Sequence, residues 1–188
     1  MEQQEIALIR KAQRGDTFAF ENLIRKYDKQ VLNLALNMVG NIEDAKDIYQ
    51  EVFIRAYRSL RNFRFQSEFF TWLYRITVNY SINFRKKRSS RAALHLEANE
   101  GRKEVNFQED EKLAPDKTLE RNEFHYYVKL GLEYVSAQQR SIFVLRHFND
   151  YKLSEIAEIL DCQVGTVKNQ LFRATQKIKK YLQSVDIL

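Results

Sequence analysis

Apolar residues recur along this chain at three- and four-residue steps, the period of an amphipathic helix. Four such stretches fill the first half. Residues 4–14 form the first, which stops at Gly15-Asp16. Thr17 can cap a second, with Phe20, Leu23, Ile24, Tyr27, Val31, Leu34, Ala35 and Met38 on one face and Gly40 closing it. Asn41 can cap a third, whose inner face is Ala45, Ile48, Tyr49, Val52, Phe53, Ala56, Tyr57 and Leu60. Ser67 opens a fourth with Phe69, Leu73, Ile76, Tyr80 and Phe84 assigned to packing, and it runs into Arg85-Lys86-Lys87-Arg88.

Periodicity fails from Arg91 to Thr118, where large apolar residues thin out, acidic ones rise and Pro115 appears; this predicts a flexible acidic linker. Helices resume near Leu119. Ser136-Ala137-Gln138-Gln139 has the form of a capping box and predicts the start of a helix bearing Ile142, Phe143, Leu145 and Phe148. The expected fold is all-α: a domain over 1–90, the linker over 91–118 and a second domain over 119–188.

The stretch 151–178 is the most informative. A short helix from Ser154 to Leu160 buries Ile156, Ala157 and Leu160, Asp161-Cys162-Gln163 turns the chain, and a longer helix begins near Val164. A helix pair joined by so tight a turn is the architecture that sets its second helix into a DNA major groove. At about 100° per residue, Val167, Leu171, Ala174 and Ile178 fall on one side, and Lys168, Asn169, Phe172, Arg173 and Gln176 on the other. Donors around one planar apolar group suit base edges and thymine methyls, while Thr166 and the amides at the helix start are placed to hold a phosphate.

Composition narrows the classes further. Only five Gly and one Pro among 188 residues favour helix throughout. The net charge of +6 is uneven: residues 1–90 carry 16 basic and 10 acidic side chains, 91–118 carry 5 and 7, and 119–188 carry 10 and 8. Two basic bodies flank an acidic connector, which favours a polyanionic partner. Cys162, the single cysteine, permits no internal disulfide, and neither a secretion signal nor a membrane span is evident, so a cytoplasmic location without membrane insertion is expected. His95, His125 and His147 have no companions at catalytic or metal spacing, so neither an enzyme nor a cofactor is expected.

Two further stretches carry chemistry. Between Asn62 and Arg88 the aromatic residues Phe63, Phe65, Phe69, Phe70, Trp72, Tyr74 and Tyr80 alternate with Arg64, Arg75 and the basic cluster. Rings beside cations are what single-stranded bases require, although part of this set must be core. Trp72, Asn79 and Asn83 lie off the packed face and could border a pocket for an unstacked base. On the third helix Asp47, Gln50, Glu51, Ile54 and Arg58 occupy the side opposite the core. Acidic groups around an outward Ile would repel phosphate, and a protein contact explains both. From residues alone, a dimeric repressor or activator and a purely protein-binding helical adaptor stay open. The first demands a palindromic operator, the second salt-independent behaviour towards DNA.

The runs DAKDIYQEVFIRAYRSLRNF (44–63) and FFTWLYRITVNYSINFRKKR (69–88), with the block Val164-Gly165-Thr166-Val167-Lys168, resemble sigma factors of the extracytoplasmic function type. The likeness spans both domains in order, the linker apart. It implies a bacterial initiation factor with core RNA polymerase and promoter DNA as partners, and an anti-sigma factor as regulator. By resemblance, Asp47, Gln50, Glu51 and Ile54 would dock on the clamp helices of the polymerase largest subunit. Phe63 to Phe70, including Arg64 and Ser67, would form the loop that receives a base flipped from the −10 element, with Asn79 lining the pocket. Lys168, Asn169, Phe172 and Arg173 would read the −35 element, and the linker would thread towards the active-site cleft. Phe65 stands where the family often has Gly, which implies another loop shape and another base preference. Asn169-Gln170 replace a common Ser-Arg, and Gln163 a frequent Pro, implying a different −35 sequence and a looser turn.

Overall fold

The computed structural model describes residues 2–96 and 118–187. Within them every regular element is helical: α1 (Gln3–Gln13), α2 (Thr17–Arg25), α3 (Asp28–Val39), α4 (Ile42–Ser59), α5 (Phe69–Leu96), α6 (Thr118–Gly131), α7 (Ala137–His147), α8 (Leu153–Ile159) and α9 (Val164–Ser184). Short 3-10 turns follow α4 (Leu60–Asn62) and α6 (Leu132–Tyr134). The described residues fall into two compact units, those within Met1–Phe84 with Glu158–Asp161, and those within Arg85–Ala157 with Cys162–Leu188. Of the expected linker, residues 91–96 belong to α5 and Thr118 to α6. The remainder, 97–117, lies outside the described residues.

In the first unit α1 packs on α2 and α3 on α4 around Ile9, Leu23, Val31, Leu34, Met38, Ile48, Val52 and Leu73, all fully buried. The caps are local chemistry. Asn41 Oδ1 accepts the Asp44 amide at 2.8 Å, as the sequence implies. Gly40 ends α3 at φ +86°, a left-handed conformation that suits glycine. At α2, however, Asp16 rather than Thr17 is the cap, accepting the Ala19 amide at 2.9 Å. At α5 the helix opens at Phe69, with Ser67 two residues upstream and its hydroxyl donating to the Glu68 carbonyl.

Two expectations need correction here. The single helix read over 17–40 is two, broken at Lys26-Tyr27. Tyr27 leaves the helical region at φ −122°, and its hydroxyl donates to the buried carboxylate of Glu5 on α1. Burial, that hydrogen bond and the neighbouring carboxylates push the phenol far above its ordinary range, so it stays a donor. A tertiary bond has overridden the local period. The packed face of α5 is also rotated: Phe69, Leu73, Tyr74, Thr77, Val78 and Ser81 are buried, whereas Ile76, Tyr80 and Phe84 are only half-buried. Thr77 and Ser81 can lie inside because their hydroxyls donate to the carbonyls one turn back, Leu73 at 3.0 Å and Thr77 at 2.8 Å.

In the second unit α7 is buried along seven consecutive residues, Gln139 to Leu145, so none of its faces is free over that run. Its capping box forms as expected: Ser136 Oγ accepts the Gln139 amide at 3.2 Å, and Gln139 Oε1 accepts the Ser136 amide at 3.3 Å. Replacing Ser136 by Ala should lower the stability of this unit by about 1 kcal/mol. Thermal unfolding of the full chain would measure it, and an unchanged transition would remove the cap from the account. Gly131 lets α6 approach α9 closely, since a Cβ there would stand 3.1 Å from Tyr181 Cδ1 and 3.2 Å from Ile178 Cγ2.

Candidate nucleic-acid and partner interfaces

Helices α8 and α9 form the helix-turn-helix. Asp161 turns the chain in the left-handed region at φ +50°, a conformation that Asp tolerates better than most residues. The Cys162 amide then donates to the Ala157 carbonyl at 3.0 Å. Ile156, Ala157 and Ile159 are buried on α8, with Leu160 and Cys162 half-buried. On α9 the inner face is Val167, Ala174, Ile178 and Leu182, and Leu171 is half-buried.

The opposite face lies open. Thr166, Lys168, Asn169, Phe172, Arg173 and Gln176 are all exposed, and Phe172 shows 64% of its surface. Gln163 supplies no side-chain cap to α9, leaving its first-turn amides without that acceptor at the end where an anion is favoured. The helix is braced from behind by Gln139 of α7, which donates to Gln170 Oε1 at 3.1 Å. Periodicity gave no warning of that polar brace, because Gln139 reads as a cap residue and Gln170 as surface.

A second surface gathers where the loop after α4 meets α5. Phe63 is buried, its ring 5.1 Å from Phe65, 5.2 Å from Trp72 and 5.9 Å from Phe69. It is thus the floor of an aromatic cluster, not its outer wall. Trp72, Phe70, Ser67 and Arg75 are half-buried, and Arg64, Asn79 and Asn83 are exposed. Trp72, Asn79 and Asn83 recur at helical spacing along one stripe of α5 beside Arg75. Phe65 sits at φ +58°, in the left-handed region that glycine adopts without strain.

The third surface is the outer side of α4. Asp47, Gln50, Ile54 and Arg58 are exposed at three- and four-residue steps; Glu51 is half-buried and accepts from Arg55 Nε at 2.7 Å. Ile54 and Arg58 edge an open groove of about 420 Å³ completed by Phe20, Phe53 and Tyr57. Tyr57, expected in the core, is instead 42% exposed with its ring 5.0 Å from that of Phe20. Phe18, 77% exposed on the neighbouring α2, carried no periodic signal and was not anticipated. Among the described residues no group of acidic, His and Cys side chains is arranged to hold a metal, and no helix is long and apolar enough to cross a membrane.

All-helical units and the helix-turn-helix of α8 and α9, with its open donor face, define a helix-turn-helix protein of modular build. Residues 23–91 match the family Sigma-70 region 2, and residues 128–178 match Sigma-70, region 4. The RNA polymerase sigma-H factor of Pseudomonas aeruginosa is 34% identical over 191 residues, covering 97% of this chain and 95% of that protein. The ECF RNA polymerase sigma-E factor of Escherichia coli is 34% identical over 185 residues, covering 94% and 93%. Among solved structures, CnrH in complex with the cytosolic domain of CnrY shares the fold, with a TM-score of 0.66 at 21% identity over 97% of this chain and 99% of that one. The chain belongs to the sigma-70 family, in its extracytoplasmic function (ECF) group.

Proposed function

We propose that this chain is an initiation subunit of bacterial RNA polymerase that reads the −35 element as duplex and captures unstacked bases of the −10 element. The observation that carries the proposal is the outer face of α9, where Phe172 stands two-thirds exposed among Lys168, Asn169 and Arg173. A surface helix meant only for solubility has no use for such a ring. The stripe Trp72, Asn79 and Asn83, over the Phe63 floor and beside Arg64, Ser67, Phe70 and Arg75, serves the opened strand. The α4 face, Asp47 to Arg58, grips core polymerase. An anti-sigma factor, taken from family membership, is the proposed regulator.

Energetics assign the order of events. Opening a duplex costs stacking of about 1.4 kcal/mol per step, so a bubble of several pairs needs on the order of 5–10 kcal/mol. Each base stacked on protein returns roughly 1–3 kcal/mol. One chain can hold one or two flipped bases, and polymerase must supply the remainder. Opening therefore belongs to the complex.

The test is reconstitution of core polymerase with the chain and mapping of the promoters at which it starts. Core enzyme that ignores the chain under conditions where a known sigma subunit assembles would overturn the proposal. Within it, Lys168→Ala and Arg173→Ala should each weaken binding to a −35 duplex by about 1–3 kcal/mol. Transcription from a cognate promoter undiminished by either change would remove those residues from the interface.

A further inference from the structure

The loop that bears Phe63 and Phe65 is held from outside its own sequence neighbourhood. The side-chain amide of Gln13, at the end of α1, donates to the Leu60 carbonyl at 3.0 Å and to the Phe63 carbonyl at 2.9 Å. Both acceptors stand where α4 and its 3-10 turn run out; the Leu60 carbonyl also accepts the Phe63 amide at 3.0 Å, so Gln13 adds a second donor to the turn that ends at Phe63. An amide NH2 has two hydrogens, and here two carbonyls take them. One turn earlier on the same face of α1, the Arg10 guanidinium lies over the Phe65 ring at 5.9 Å from its centroid.

Immediately beyond the Phe63 carbonyl the backbone enters the left-handed region at Phe65, where a side chain with a Cβ is strained. A strained residue persists only when its surroundings fix it, and in this loop two contacts that fix it come from α1. We infer that Gln13 is a positioning residue for −10 recognition: by clamping the two carbonyls it sets the angle at which the loop offers its aromatic cluster to a flipped base, with Arg10 holding the Phe65 ring. The inference rests on the proposed −10 role of that loop. It makes α1 a determinant of promoter choice.

Gln13→Glu keeps the shape of the side chain but turns a carboxylate towards two carbonyls, and Gln13→Leu removes the donors outright. Each full-length variant would be assembled with core polymerase and offered competing templates that differ at single −10 positions, with core affinity and thermal unfolding measured alongside. With both clamping hydrogen bonds lost, the discrimination between bases should fall by about tenfold. Core affinity should stay within about twofold, because the α4 face is untouched. Equal loss on every template, with base preference intact, would show that Gln13 merely supports stability and would overturn the inference. Trp72→Ala separates the levels. If it flattens the preference while both Gln13 variants do not, only the positioning role fails; if it too leaves the preference intact, the −10 reading itself has failed.

Discussion

Replacing Ile54 by Asp is expected to weaken assembly with core RNA polymerase by at least about thirtyfold, the equivalent of a 2 kcal/mol hot spot, while the unit stays folded. Ile54 is 44% exposed, so little of the core is lost with it. What it contributes is an apolar edge to the groove of Phe20, Phe53, Tyr57 and Arg58. A partner helix seated there would desolvate that edge, and a carboxylate in the same place would have to be stripped of water without a compensating donor. The polar rim behaves differently: Asp47→Ala should cost less than about 1 kcal/mol and act mainly on the association rate and its salt dependence, and the neutral Gln50→Ala should cost as little without a salt effect. Competition binding of labelled chain to core enzyme distinguishes the two classes. An Ile54→Asp chain that assembles as well as the parent would place the polymerase contact elsewhere.

What the sequence revealed and what it withheld divide along a physical line. The α9 face was legible because a surface helix packed on one side obeys the 3.6-residue period, and Lys168, Phe172 and Arg173 are exposed as the period demands. Asn41, Gly40 and the Ser136–Gln139 box were legible because caps are local. The break at Tyr27 was not, since its partner Glu5 lies 22 residues away. The face of α5 was misplaced because a period counts Thr77 and Ser81 as polar, whereas hydroxyls bonded to their own helix pack as small apolar groups. Gln13, Gln139 and Arg140 share one cause of concealment: each is a polar side chain whose value lies in a partner that sequence spacing cannot name.

Arg140 yields the other large effect. Its side chain is 1% exposed on α7, and its Nη1 donates to Glu133 Oε1 at 2.6 Å. Glu133→Ala takes this carboxylate from a guanidinium that cannot reach bulk water, and the second unit should lose about 3 kcal/mol. Arg140→Met should cost less, because a chain of similar length fills the space and removes the charge that required compensation. Once Met is in place, Glu133→Ala still removes the partner of Arg85, whose Nη2 donates to Glu133 Oε2 at 3.0 Å. What it adds is the cost of that more exposed pair, so the two changes combine below their sum. Thermal unfolding of the three variants gives the order directly. If Arg140→Met proved the more damaging single change, the guanidinium would be stabilising through contacts other than this carboxylate. The consequence reaches DNA through the adjacent residue: Gln139 braces Gln170 on the concealed side of α9. A loosened α7 should therefore weaken binding through the proposed −35 face in Glu133→Ala even at temperatures where the unit remains folded, without altering any residue of that face.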